Sequence, residues 1–472
     1  MSFPRVLVTS CRELCTRAPR TPYGTHRDKT FGNQQRLLRI GIAAAVLALA
    51  VWGIWAYLQR TVMWNMLDLS VYYNAVDSLK DNQDALYTSN FGTWKLPFIY
   101  PPFSALTFFG LVPMGFAGLK WFMTVTSLLA LAAVVWTSWG MLGYRRSAGR
   151  AGATLATFAV VLWFEPVVWT LEWGQVNLAL LAVLMFDLGQ PDTRRWKGVG
   201  VGLAAGFKLT PLIFIVYLAM TRRFRAAGVA LGTFLGTIGL GFVLLPSASA
   251  KYWSDIAEIN NRVSEQLPVG TLNNQSVQGM FRRMLDSESL SSMLWLLCCA
   301  ALAILVMVAA AKASLAGQEL LGVVLVGVLS LLVSPISWSH HWVWVVPAFV
   351  LLLHHALRLR RRMWWYATAA FLAFYGTWPL SLDVDGHWDG GQKLQPWGLI
   401  WLAPRDGKRE NRWNVWQYFV GNSYLFVGIA LTVLVAWWVL RTTAAAETGA
   451  ETEAEPADVA PRPRAEKVAA ES

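Results

Sequence analysis

Charge is scarce in this chain. Only 14% of its residues are Asp, Glu, Lys or Arg, against roughly 25% in an ordinary globular chain. A succession of soluble domains is therefore excluded, although 472 residues would suffice for about three. Cysteine is scarcer still. Cys11 with Cys15 and Cys298 with Cys299 form two close pairs, a spacing that gives no disulfide framework across outer loops. A Walker loop, a GxSxG elbow and a dinucleotide fingerprint after a strand are all absent, which removes the commonest soluble catalytic classes and any sign of nucleotide-driven work. No small-residue cleavage site follows the first apolar run, so that run reads as a retained span.

Hydrocarbon is what the chain has in excess. Hydrophobic residues make up 55%, gathered in continuous runs of the lengths that cross or enter a slab about 30 Å thick. A membrane barrel would need alternation instead. The reading is an all-α polytopic membrane protein. Runs at 40–58, 119–142, 151–164, 176–189, 226–245, 292–311, 317–334, 343–357, 364–380 and 418–440 supply ten helices. Residues 198–220 have Arg194, Arg195 and Lys197 on one flank and Arg222, Arg223 and Arg225 on the other. That segment is either a broken hairpin around Phe207 to Pro211 or one span that violates the charge rule. Its glycines, Lys208 and Pro211 favour the broken form, because irregular backbone at depth survives where protein or a wet cavity covers it. Residues 103–115 read as an interfacial or partly inserted helix. The expected count is thus ten to twelve.

The net charge of +12 lies beside apolar runs. Residues 1–39, 143–150, 190–197, 221–225, 312–316, 358–363 and 441 hold 23 Lys/Arg in 72 positions, whereas 59–97, 247–291 and 381–417 hold 12 in 121. The positive-inside bias then places the short basic clusters and both termini in the cytoplasm and the three long loops outside. Anionic lipid headgroups are the expected partner of this charge, and nucleic acid is not. The organisation follows: a basic cytoplasmic arm at 1–39, an integral membrane domain at 40–440, and an acidic tail at 441–472 with seven acids and the composition of a disordered segment.

Ionisable groups at membrane depth or its edge mark functional sites by default. Four patches qualify. In MLDLSVYYNA (66–75), Asp68 can be held at the outer surface beside Tyr72, whereas Asp77, Asp81 and Asp84 read as solvated loop acids. EPVVWTLEWGQVN (165–177) offers Glu165, Glu172, Gln175 and Asn177 as partners for sugar hydroxyls, or else a turn with capping amides. In PISWSHHWVWVVP (335–347), His340 and His341 could meet a phosphate oxygen or relay a proton, or pack among Trp338, Trp342 and Trp344 in an aromatic belt. No carboxylate at ligand spacing accompanies them, so a metal is not expected. His354 and His355, beside the basic cluster, read as packing. Lys208 either meets a lipid phosphate or snorkels to the cytoplasmic surface.

Taken in order, DLSVYYNA (68–75), LPFIYPPFSAL (96–106), EWGQVN (172–177), GVGLAAGFKLTPLIF (200–214) and SPISWSHHWVW (334–344) resemble the integral-membrane glycosyltransferases of the C superfamily. Within it, they are closest to family 87, the polyprenyl-phosphate-mannose-dependent mannosyltransferases of actinobacterial envelopes. The resemblance covers most of residues 40–440. It implies an external active site, a donor sugar on a polyprenyl monophosphate and Asp68 as general base in an inverting displacement. His340 or His341, with His341 favoured, would stabilise the leaving phosphate. Trp338, Glu172, Gln175 and Asn177 would position sugar or acceptor, with Tyr72 and Lys208 also contacting substrate. No metal or other cofactor is expected. The expected acceptor is a phosphatidylinositol mannoside in α-1,2 linkage, with lipomannan branching and a decaprenyl-phosphate-arabinose donor as alternatives. Rival classes are a lipid-linked-sugar flippase, for which broken helices would also serve, and a scaffold in which Asp68 and the histidines are replaceable.

Overall fold

The computed structural model describes residues 28–58, 66–80, 82–380, 395–404 and 410–454. Most of the basic arm with Cys11 and Cys15, Asp81, much of the third outer loop and the end of the acidic tail lie outside them. The protein is an all-α membrane protein. From the N-terminus the helices are α1 (Gln34–Leu58), α2 (Leu67–Asp77), α3 (Ala85–Thr88), α4 (Pro102–Phe109), α5 (Gly115–Met141), α6 (Ala148–Val161), α7 (Glu165–Trp173), α8 (Asn177–Leu188), α9 (Val199–Phe207) and α10 (Ile213–Met220). There follow α11 (Phe224–Leu244), α12 (Pro246–Ser254), α13 (Ile256–Gln266), α14 (Val277–Met284), α15 (Glu288–Leu315), α16 (Glu319–Val333), α17 (Val345–Leu359), α18 (Arg362–Tyr375), α19 (Val415–Gly421) and α20 (Ser423–Ala454). Two short antiparallel ribbons pair Asn90–Phe91 with Leu96–Pro97 and Trp378–Leu380 with Gln395–Trp397.

Each of the ten apolar runs contains a helix, although the run 364–380 leaves its helix at Tyr375 and ends in the strand Trp378–Leu380, and fewer than ten helices are long enough to cross by themselves. Among the described residues six helices have the length and apolarity to span, and the pair α7 and α8, bent by 118°, is a seventh if counted as one. The shortfall is one of length. Helices α6 and α16 have 14 and 15 residues, which at 1.5 Å per residue reach only about 21 to 23 Å. At the C-terminal end α20 runs on to Ala454, so the first part of the segment expected to be disordered is helical. Its alanines and glutamates are good helix formers and extend a helix already nucleated in the span.

The segment 198–220 is a broken hairpin. Gly198, Gly202 and Gly206 lie against Ala226, Ala230 and Thr237 of α11 in that order, so tightly that a methyl on any of them would collide with its neighbour. Helix α9 therefore runs parallel to α11, its small residues at every fourth position letting the two helices approach closely. The chain then turns at Lys208, which is extended (φ −146°, ψ 131°), continues through a 3-10 turn at Thr210–Leu212 and returns as α10 to the start of α11. From Ala226 to Thr237 the climb is about 16 Å, so the tip stands deep in the protein. A buried ion network anchors the base of the hairpin. Arg223 binds Glu319 through two nitrogens (2.7 and 2.5 Å) and Asp192 through Nε (2.8 Å), and Lys197 also holds Asp192 (2.8 Å). Asp187 accepts from the backbone amides of Gly198 and Val201 at the start of α9, where a carboxylate complements the helix dipole.

The loops between the spans fold against one another. Arg262 on α13 donates to the carbonyls of Tyr87, Thr88 and Ser89, tying the second long loop to the first. Asn274 forms an isolated bridge to Trp338 and its Oδ1 accepts from the Ser337 amide (2.9 Å). Arg283 donates to the carbonyls of Thr271 (2.7 Å) and Asn274 (3.0 Å) and to Asn422 Oδ1 (2.6 Å). Glu165 is fully buried, accepting from Trp401 Nε1 (2.8 Å) and Tyr424 Oη (2.9 Å). It therefore ties α7 to the last loop and the last helix rather than facing a ligand.

Candidate active site

Met66 adopts a left-handed conformation (φ 46°) and starts α2, which places Asp68 in the first helical turn. Against that turn lies the elbow between α7 and α8. Gly174 (φ 65°) allows the bend, and its backbone sits on Leu69 and Met66 where a side chain would not fit. The elbow thus delivers Gln175 beside Asp68, where its side-chain amide favours the charged carboxylate. Gln175 is fixed in turn by a chain of hydroxyls: Tyr72 Oη donates to Tyr100 Oη (3.1 Å), and Tyr100 Oη donates to Gln175 Oε1 (3.5 Å). Burial pushes the Asp68 carboxyl up to about 7, against the opposing pull of the Gln175 side-chain amide and the Lys208 charge. Burial and the neighbouring Asp68 charge push Tyr100 up to about 12, so it remains a donor. Asp68 Oδ2 is buried and makes no hydrogen bond.

The tip of the hairpin faces this carboxylate. Lys208 Nζ lies 3.3 Å from His341 Nε2 and 3.5 Å from Asn177 Oδ1, and 5.5 Å above the Tyr100 ring. It does not snorkel, because the chain has carried it away from the basic cluster and into the protein. An ammonium so close requires a lone pair on His341 Nε2, which leaves the ring proton on Nδ1.

The two histidines keep their rings edge to face, with centroids 4.7 Å apart, but take different partners. The His340 carbonyl accepts from Thr170 Oγ1 (2.9 Å) and Asn177 Nδ2 (3.0 Å), and its ring stacks on Trp173 with centroids 5.5 Å apart. His340 thereby pins the 3-10 turn Ser339–Trp344 to the elbow, and the next residue, His341, is turned toward Lys208.

Asp68, Tyr72, Tyr100, Gln175, Lys208, Trp338 and His341 line a single cavity of about 1010 Å³. Asn177 lines a smaller adjoining pocket of about 60 Å³ that shares Lys208 and His341. Glu172 and His340 line neither. Of the expected site residues the structure therefore brings seven to these two connected spaces and leaves two behind them. Tyr100 was missed as a site residue even though it stands in the FIYPP stretch. A tyrosine between apolar runs gives no local sign of its partner 75 positions away. Gln278 and Arg282, also on the cavity wall, were missed because they belong to a loop whose folding back is not visible locally.

A carboxylate of raised pKa and a cation share one large cavity in a membrane protein, an arrangement suited to deprotonating a hydroxyl beside an anionic leaving group. The model of glycosyltransferase family 87 matches residues 98–335. A polyprenol-phosphate-mannose-dependent alpha-(1-2)-phosphatidylinositol pentamannoside mannosyltransferase of Mycolicibacterium smegmatis is 32% identical over 378 residues, covering 78% of this chain and 88% of its own. The chain belongs to glycosyltransferase family 87. A protein of the same description from Mycobacterium tuberculosis is 33% identical over 78% of this chain and 84% of its own. A polyprenol-phosphate-mannose-dependent alpha-(1-2)-phosphatidylinositol mannoside mannosyltransferase of Mycolicibacterium smegmatis is 30% identical over 82% of this chain and 87% of its own. No solved structure matches the chain. This family 87 member is thus a multi-pass membrane glycosyltransferase.

Proposed function

We propose that this glycosyltransferase moves mannose from a polyprenyl-phosphate-mannose to a phosphatidylinositol mannoside, forming an α-1,2 linkage with inversion, on the extracytoplasmic face of the cell membrane. The observation that carries the reading is the single cavity lined both by Asp68, whose Oδ2 has no partner, and by the Lys208–His341 pair. The acceptor hydroxyl gives its proton to Asp68 as its oxygen attacks the anomeric carbon. The bond from that carbon to the phosphate oxygen breaks, and the polyprenyl phosphate leaves with the electron pair. A base with a pKa near 7 is half ionised at neutral pH, where proton abstraction is most effective. The charge gathering on the phosphate is met by the Lys208 ammonium and the Nδ1 proton of His341, both preorganised by the hairpin and the 3-10 turn. Tyr72, Tyr100 and Gln175 hold the carboxylate in position, and Trp338 offers a flat face to a sugar. The mannose donor and the acceptor rest on the names of the similar proteins, and the outward face on the distribution of Lys and Arg.

The test is product formation by purified full-length protein given polyprenyl-phosphate-mannose and a phosphatidylinositol mannoside. Asp68→Asn and Asp68→Ala should lose about 100- to 10,000-fold in turnover, the usual worth of general-base assistance. Equal turnover in all three proteins rejects Asp68 as the base. Transfer from a polyprenyl-phosphate-arabinose with none from the mannose donor rejects the donor.

A further inference from the structure

The cavity has a second cationic place that the transfer step does not use. Helix α14 carries the adjacent arginines Arg282 and Arg283, and the structure gives them opposite environments. Arg283 is buried and bound to three backbone carbonyls and Asn422, so it holds the loop together. Arg282 lines the cavity, and so does Gln278 one turn earlier on the same face. Arg282 meets Glu288 through one nitrogen at 2.5 Å, and that glutamate is 78% exposed. Its Nε makes no hydrogen bond, and neither does Oε1 of Gln278, a side chain only 8% exposed. One wall therefore offers a spare guanidinium donor and a spare amide acceptor, each shielded from water and each without a protein partner. Buried polar atoms are normally satisfied, so an unsatisfied donor and acceptor side by side on a cavity wall are suited to a ligand that supplies both complements.

We propose that Arg282 and Gln278 form the subsite for the acceptor's headgroup, an anionic phosphodiester carrying a polyol, with Arg282 on the phosphodiester and Gln278 accepting from a hydroxyl. The inference rests on the function proposed above. That reaction brings two phosphate-bearing lipids into one cavity. The leaving phosphate must lie where charge develops beside the anomeric carbon, and Lys208 with His341 already stands opposite Asp68. A second anion then needs a second cation, and a cavity of about 1010 Å³ is far larger than one sugar requires. Glu288 binds Nη2 and leaves the Nε–H free to donate a charge-assisted hydrogen bond to a phosphate oxygen.

Steady-state kinetics of the full-length protein with each substrate varied in turn will test the subsite, alongside direct binding of the detergent-solubilised acceptor. Arg282→Gln should raise KM for the acceptor about tenfold or more, the usual consequence of losing one hydrogen bond to a charged group, while KM for the donor stays within about twofold. Arg282→Lys should recover part of the loss, and Gln278→Leu should raise acceptor KM with donor KM unchanged. With an acceptor glycan lacking the phosphodiester, native protein should already show the raised KM, and Arg282→Gln should add nothing. Glu288→Gln separates ligand contact from mere docking of α14 on α15. Should it reproduce the Arg282→Gln phenotype, or should Arg282→Gln raise donor KM instead, the subsite is overturned. Unchanged acceptor binding in Arg282→Gln also overturns it. If native protein makes no product yet binds the acceptor through Arg282, the proposed reaction fails and the subsite stands.

Discussion

Replacing Gln175 with Leu tests the reasoning about the Asp68 base most sharply, because it removes the polar amide beside the carboxylate and leaves the carboxylate in place. In the native protein burial raises Asp68 to about 7, and Gln175 and Lys208 each pull it back. The base works only when ionised, so kcat/KM should rise with pH through about 7 and fall about tenfold per unit below it, the dependence of the free enzyme. A hydrogen bond to an ionised group is worth about 2 kcal/mol, and one pKa unit corresponds to about 1.4 kcal/mol. Removing the donor weakens the charged form, so the carboxyl rises by about 1 to 2 units and the acidic limb moves to about pH 8 to 9. At pH 7 the ionised fraction then drops from about one half to about one tenth or less. The assay is the pH profile of kcat/KM for native and Gln175→Leu proteins in the same detergent. Activity lost equally at every pH, with the limb still near 7, would refute the claim that Gln175 tunes the base. Lys208→Met should move the limb the same way, since it removes a favourable charge, and should also lower the plateau because the leaving phosphate loses its cation.

The histidines give a second prediction. His340→Phe keeps both the backbone carbonyl that binds Thr170 and Asn177 and a ring to stack on Trp173, so turnover should stay within a few-fold of native, whereas His341→Phe should lose at least about tenfold by removing a preorganised donor. Turnover assays that find the reverse order would show that the cavity-facing ring has been misassigned. Glu319→Gln breaks the buried pair with Arg223 and leaves a buried charge short of its partner, a change typically destabilising by about 3 to 5 kcal/mol. Thermal unfolding in detergent should show a clearly lowered Tm, and an unchanged Tm would mean that Asp192 alone suffices for Arg223.

How much could be read in advance depended on whether the controlling physics is local. Helices at 119–142 or 292–311 are legible because a continuous apolar run in lipid must satisfy its own backbone hydrogen bonds, and the helix is the local way to do so. Asp68, Gln175, Lys208 and His341 could be singled out for the same reason: hydrocarbon penalises polar groups, so those near it stand out. The sequence also supplied the small-residue spacing of Gly198, Gly202 and Gly206. It could not say whether that segment crossed or returned, because the answer lies in which way α9 runs along α11.

Tertiary packing decided the rest. Adjacent His340 and His341 are chemically identical in the sequence, and only the docking of the 3-10 turn on the α7–α8 elbow gives one to the scaffold and the other to the cavity. Glu165 and Glu172 looked equally suited to sugars, yet Trp401 and Tyr424, more than 230 positions away, claim the first. Tyr100, Gln278 and Arg282 join the site through contacts between segments far apart in the chain. Apolar run length and polarity are properties of neighbouring residues, so the sequence alone determined where the apolar helices and the suspects lie, though not how many helices are long enough to cross. The direction of a side chain and its distance from another segment come from long-range packing, so only the folded chain could sort ligand-facing groups from those that hold it together.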